Sequence, residues 1–180
     1  MKKKDLVEKD GKILLSKDLF ISYLKSDMKF LNIFQLVGAV VILMLVVMWA
    51  EDVFELGEVV WGGYPIIWGI IASIFLLIPY ICNRKTKKQI NDIKRNNFFV
   101  VVDIIKEKDC YTTEFNDKHT WHFVVIGERF GELEISRLEY DSCDIGQQIY
   151  VIKLIDETVL FSFPEVMYTL DNELKQFITK

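Results

Sequence analysis

Histidine is nearly absent from this sequence, with two residues in 180, and cysteine and proline number three each. That scarcity excludes several chemistries. Cys82, Cys110 and Cys143 are unevenly spaced and lack the close Cys-x-x-Cys pairs of a structural metal site or the even count of a disulfide framework. His119 and His122 stand three apart, and residues three apart on a strand face opposite sides, so they cannot share a metal without a bulge. No Gly-x-Ser-x-Gly, phosphate-binding Gly-Lys-Ser/Thr loop or dinucleotide fingerprint is present. No catalytic residue, cofactor or metal ligand is assigned on these residues, and the chain reads as a non-enzyme.

Two further absences set the architecture. Phe30 to Ala50 contains no charged residue, and neither does Pro65 to Cys82. Each run is long enough to cross a hydrocarbon core of about 30 Å as a helix. Between them there is no Lys or Arg, and the connector carries Glu51, Asp52, Glu55 and Glu58. The flanks are the reverse: Lys2, Lys3, Lys4, Lys9, Lys12, Lys17, Lys25 and Lys29 precede the first run, and Arg84, Lys85, Lys87, Lys88, Lys94 and Arg95 follow the second. This asymmetry predicts a multi-pass protein of the cell (plasma) membrane with both termini in the cytoplasm and the connector outside. The cysteines then sit as reduced thiols. The many polar residues ahead of the first run argue against a cleaved signal peptide.

Within the spans, Asn32 and Gln35 fall at headgroup level and Trp49 marks the far interface. Gly38 and Ala39 in the first span, with Gly69 and Ser73 in the second, are small residues that permit close helix contact, either inside one hairpin or between copies. Neither span holds an ionisable residue, which argues against an ion pathway. Arg84, Lys85, Lys87 and Lys88 are candidate contacts to lipid head groups, against the simpler reading of an ordinary positive-inside signal.

The remainder is polar and strongly patterned. Asp10-Gly11 between two short apolar pieces predicts a β-hairpin over Leu6 to Leu15. Ser16 caps a helix in which Leu19, Phe20, Tyr23, Leu24 and Met28 form one stripe, to lie on the inner membrane surface or to pack on the cytoplasmic domain. From Phe98 the pattern turns to strands at 98–106, 111–115, 119–126, 131–136, 148–155 and 158–163, with turns at Asn116-Asp117-Lys118 and Gly127 to Gly131 and one helical turn in Ser136 to Gly146. Leu170, Leu174, Phe177 and Ile178 predict a short C-terminal helix. So many short strands predict a small antiparallel β-barrel of OB or SH3 type, since closure removes exposed edges, or else a strongly twisted sheet. The expected organisation is an N-terminal cytoplasmic segment at 1–29, a transmembrane helical hairpin at 30–83 with spans at 30–50 and 65–83, a basic juxtamembrane linker at 84–97 and a cytoplasmic β-domain at 98–180.

Tyr140, the run Asp144 to Leu154 and the later Phe163 to Tyr168 resemble the closing strands of small barrels in uncharacterised two-helix bacterial membrane proteins. The layout resembles NfeD-like and YcxB-like proteins. The resemblance implies an architecture, a membrane hairpin carrying a compact cytosolic β-domain, and no catalytic residue.

Charge narrows the partners. From Phe98 onward eight Lys and Arg stand against sixteen Asp and Glu, a net of −8. A domain this acidic repels phosphates, so nucleic acid is not expected as a partner. Glu128, Glu132, Glu134 and Glu139 form an acidic cluster in sequence, whose ordinary explanation is a solvated strand face. The expected partners are the lipid bilayer, a protein and further copies of the chain. Two functions fit: a membrane-anchored interaction or regulatory module, and a ligand-responsive membrane effector that oligomerises through its hairpin.

Overall fold

A computed structural model describes residues 8–9, 11–56, 64–115, 118–156 and 158–179, with side chains described except at 8, 9, 51–56, 64–66, 72, 73 and 115. Asp10 of the expected turn, the connector from Gly57 to Gly63 and the Asn116-Asp117 turn lie outside the described residues. The chain divides into two compact units, one made of residues up to Ile21 together with Asp92 onward, the other of Ser22–Asn91.

The helical unit is an antiparallel pair. Helix α1 runs unbroken over Lys17–Leu56. Its start is set by Ser16, whose Oγ accepts from the Leu19 N–H at 3.2 Å, satisfying one of the donors that a helix N-terminus leaves open. The stripe expected to form a separate short helix is thus the first stretch of a 40-residue helix, and the acidic residues Glu51 to Glu55 belong to its end. The partner comprises α2 (Tyr64–Ala72), a π-helical turn at Ser73–Leu77 and α3 (Ile78–Lys94). The π turn has a local cause in Pro79. Proline offers no N–H and its ring collides with the carbonyl four residues back, and a widened turn relieves both. Helix α3 continues through the basic stretch to Lys94, where the left-handed Asn96, at φ 63°, turns the chain into a strand. These two helices are long and apolar enough to cross a membrane. Of their most apolar windows, with mean hydropathy 2.6 and 1.6, 6% and 12% are buried.

The second unit is a β structure. Strands β1 (Glu8–Lys9) and β2 (Lys12–Leu15) pair antiparallel around Gly11, whose φ of 74° suits glycine. Strand β3 (Phe98–Phe115) is one long strand where two were expected. A register shift between Ile105 and Glu107 bends it: its first half pairs with β6 (Gln148–Leu154) and its second with β4 (Lys118–Gly127). Strands β5 (Glu132–Ile135) and β7 (Val159–Pro164) are the outer members, in the order β5-β4-β3-β6-β7. Strand β8 (Tyr168–Leu170) pairs in parallel with β2, which ties the N-terminal hairpin into this unit. In place of the expected C-terminal α-helix there is a 3-10 turn, Leu174–Phe177, followed by β9 (Ile178–Thr179) alongside Val100 and Val101 of β3. Asp171 sets that turn by accepting from the Leu174 N–H at 2.6 Å.

The expected barrel does not close. Among the described residues no ladder joins β5 to β7, which are linked by Ser162 Oγ donating to the Glu134 carbonyl at 3.1 Å. Closure requires a continuous ladder around the ring, and a four-residue edge strand is too short to supply one. The result is a curled antiparallel sheet with an open seam.

Its interior has two parts. Ile105, Val125, Leu133, Ile135, Cys143, Ile149 and Val151 form one buried cluster, with Phe130 and Tyr140 against it. The other is aromatic. Phe20 from the first turns of α1 stacks on Phe161 and Phe163 at 5.7 and 5.8 Å and meets Phe98 edge-on at 6.5 Å. The stripe at Leu19 and Phe20 therefore packs on the β structure. Lys17 fastens the same corner, with Nζ donating to Asn96 Oδ1 and Glu173 Oε1 and lying 4.9 Å above the Phe177 ring.

Candidate functional site

The residues that carry polar chemistry fall into separate groups. In the helical unit, Asn83 is 7% exposed and its Nδ2 donates to Asn32 Oδ1 at 2.9 Å and Gln35 Oε1 at 3.5 Å. Gln35 Nε2 in turn donates to the Leu76 carbonyl, at 3.2 Å, within the π turn. Asn32 and Gln35, expected merely to sit at headgroup level, thus clasp the two helices together. Asn83 Oδ1 is buried without a partner among the described residues. Toward the other end Trp49 meets Trp68 edge-on at 5.9 Å.

The small residues have different surroundings. A Cβ added at Gly38 would lie 2.3 Å from Phe75 Cβ, so its hydrogen side chain is what admits the ring, while Ala39 is exposed. A Cβ added at Gly69 meets nothing within 4 Å among the described residues. The side chain of Ser73 lies outside the described residues. Arg84, Lys85, Lys87 and Lys88 are all exposed on α3.

In the β unit the acidic cluster read from sequence divides: Glu132 and Glu134 share the exposed face of β5, as alternate strand residues do, whereas Glu128 precedes that strand and Glu139 lies on the following helix. Glu128 faces Lys106 at 3.4 Å and Glu134 faces His122. Glu139 is buried on α4 (Arg137–Ser142), where it completes a capping box with Ser136 and accepts a 2.6 Å hydrogen bond from Tyr168 Oη. His122 Nε2 lies 2.9 Å from Thr113 Oγ1 and its Nδ1 lies 3.0 Å from Glu134 Oε1, with Tyr111 stacked on the imidazole at 5.1 Å. This is the hydrogen-bond order of a hydroxyl nucleophile, its base and an orienting acid. It lies on an exposed sheet face, and neither cavity described below includes it. His119 stands opposite Glu114 near the end of the same hairpin. Among the described residues no cluster of three His, Cys, Asp or Glu gathers for a metal.

Sequence reading missed two residues of structural weight. Asp103 is 2% exposed, and its carboxylate accepts from the backbone N–H groups of Ile104, Arg129 and Phe130 at 2.9 to 3.1 Å. It fills the place a Cβ on Gly127 would need, 2.1 Å away, so this carboxylate and this glycine shape the β4–β5 turn together. Lys108 donates to the Tyr140 and Cys143 carbonyls at 2.5 and 2.6 Å and sits 4.3 Å above the Tyr140 ring, which satisfies the C-terminal end of α4. Burial pushes the Cys143 thiol up, against the opposing pull of Lys108. For Asp103 the sequence signal was a lone charge inside an apolar run, FFVVVDIIK; Lys108, flanked by Glu107 and Asp109, carried no such signal.

Among the described residues of this unit, two cavities bear on function. One, of about 440 Å³, is polar and lined by Lys12, Gly146, Gln147, Gln148, Glu165 and Val166. The other, of about 300 Å³, lies between β3, β4 and α4 and is lined by Cys110, Trp121, Phe123, Arg137 and Asp141. Phe123 leans on Tyr140 at 5.3 Å, and α4 itself is held from below by Lys108 and Tyr168, so the wall of this cleft is built on anchored elements. Trp121 is 61% exposed at its mouth and Leu138, on the same helix as Arg137, is 63% exposed. Exposed tryptophan, arginine and phenylalanine are the residue types on which protein contacts concentrate. The second cavity is therefore the candidate functional site. Comparison with protein-family models, with curated proteins and with solved structures finds no match to this chain.

Proposed function

We propose that the chain is a membrane-anchored, non-enzymatic interaction or regulatory module. The helical hairpin fixes it in the cell membrane with both termini in the cytoplasm, and the acidic β unit engages a protein partner. The observation that carries this reading is the contrast between the helices, whose most apolar windows are 6% and 12% buried, and the β unit, which encloses a core of its own. Apolar surface on that scale needs a lipid or protein cover. The exposed row Arg84, Lys85, Lys87 and Lys88 directly after the second apolar run supports contact with anionic head groups on the same side as the termini. Thiol labelling in intact cells tests the arrangement. A cysteine replacing Gly57 is expected to react with a membrane-impermeant reagent and one replacing Lys180 is not. The reverse pattern, or release of the chain by alkaline carbonate, would overturn it.

The 440 Å³ cavity favours a second reading, a ligand-responsive effector whose hairpins assemble in the bilayer. Gly69 offers the open surface such assembly would use, because the space beside Gly38 is already taken by Phe75. Crosslinking in native membranes separates the readings: a monomer under all ligand conditions excludes the effector.

A further inference from the structure

Three aromatic rings of the β unit already carry a lysine on their faces: Phe177 under Lys17, Tyr140 under Lys108 and Phe130 under Lys153, at 4.9, 4.3 and 5.7 Å. Trp121 carries none. Its indole, the aromatic surface that attracts cations most strongly, has no ring, cation or hydrogen-bond partner among the described residues. It stands at the mouth of the 300 Å³ cleft beside Phe123 and the carboxylate of Asp141. Asp141 is held by Arg137 Nε at 3.7 Å, with both side chains more than half exposed, a separation and exposure at which an ion pair is weak and readily exchanged. The surrounding chain from Phe98 carries a net charge of −8.

We propose that this cleft docks a basic segment of a partner protein. A lysine or arginine side chain of that segment lies on Trp121 and Phe123 and pairs with Asp141, displacing Arg137, while Leu138 gives the neighbouring partner residue an apolar contact. The inference rests on the interaction-module reading and names the chemistry of its partner. Charge complementarity decides the occupant. An acidic segment would meet Asp141 and the surplus of sixteen carboxylates over eight cations, with Arg137 as its one favourable contact in the cleft, whereas a basic segment gains from the field and from the ring. The size of the cleft suits one long side chain rather than a folded domain, so the contact is an anchor in a larger, screened surface.

The test uses the full chain in a neutral maltoside detergent and a rhodamine-labelled hexapeptide, Gly-Arg-Lys-Arg-Lys-Gly-amide, followed by fluorescence polarisation. The acidic peptide Gly-Glu-Asp-Glu-Asp-Gly-amide and n-butylammonium chloride are the comparisons. The basic peptide is expected to bind, with affinity falling as salt rises. Trp121→Ala is expected to weaken it by about tenfold and Trp121→Phe by less, following the order of ring strength. Asp141→Asn is expected to weaken it by about fivefold, and Arg137→Gln, which removes the competing cation, to tighten it. Melting curves of each variant should match the wild type, since these side chains are exposed. Absence of binding by the wild type, equal binding of the acidic peptide, or indifference to both Trp121→Ala and Asp141→Asn would overturn the proposal. Displacement of the basic peptide by n-butylammonium at equal concentration would also overturn it, assigning the cleft to a small organic cation instead. Failure here leaves the thiol-labelling result intact, so a wrong cleft and a wrong membrane arrangement are told apart.

Discussion

Phe75 occupies the place that a side chain on Gly38 would need, its Cβ 2.3 Å from where that side chain would begin. Phe34 stacks on the same ring at 4.9 Å, so at this level the two helices pack ring against ring and ring against backbone. Gly38→Leu must push α1 and α2–α3 apart, and overpacking of this sort costs about 1–3 kcal/mol. Gly69→Leu, with open space around it, is expected to leave the pair unchanged. Unfolding of the full chain in mixed micelles, measured for both variants, checks the difference.

The clasp at Asn83 predicts a small effect. Asn83→Ala removes the hydrogen bonds to Asn32 and Gln35 together with an acceptor that has no partner among the described residues, so in the bilayer setting proposed above the loss should be about 0.6 kcal/mol, the usual worth of a polar contact between helices there. In a double-mutant cycle Asn32→Ala should add little to Asn83→Ala, because the two share one bond. Additive losses would mean that each side chain acts through other contacts.

Asp103 predicts a large effect. Asp103→Ala strips the acceptor from the partly buried N–H groups of Arg129 and Phe130, and leaving such donors unpaired costs up to about 1–3 kcal/mol each. A thermal melt should shift down by several degrees, and hydrogen exchange at these two amides should quicken ahead of the strands around them. Unchanged exchange there would show that the turn is held by other means.

Tyr150 predicts alkaline behaviour. Burial, reinforced by the charge of Glu165 and a hydrogen bond to it, holds its phenol protonated and pushes its pKa up to about 12 from an ordinary 10.0. Because the folded value lies above the unfolded one, this contribution to stability is intact below about pH 10 and is lost as the pH climbs through about 12. Ultraviolet titration at the phenolate band should show one late-titrating tyrosine, and Tyr150→Phe should remove it and flatten the fall in stability over that window.

Much of the chain was legible before its structure. The absence of charge from Phe30 to Ala50 and from Pro65 to Cys82 dictated two long apolar helices, the second interrupted by a π turn ahead of Pro79. Ser16 as a cap, the Asp-Gly hairpin and the one helical turn after Ser136 were readable because each rests on a few neighbouring residues. The C-terminal helix was misread for the complementary reason. The spacing of Leu170, Leu174, Phe177 and Ile178 suits a helix, but pairing of Ile178 and Thr179 onto β3 overrides a weak local preference. The candidate cleft was invisible as a unit: Trp121 and Phe123 share a face of β4, but Arg137 and Asp141 reach them only through the placement of α4.

The sequence alone determined where apolar surface had to be and which side of it carried positive charge, since burial in lipid or in a core depends on composition along short stretches. Tertiary structure decided what those surfaces meet. It split the four glutamates among an ion pair, a histidine, a capping box and solvent; it put Asn83 against Asn32; and it left the sheet open between β5 and β7. Those outcomes depend on distances between residues tens of positions apart, which are set by strand register and helix packing. Local pattern constrains neither beyond a choice of face.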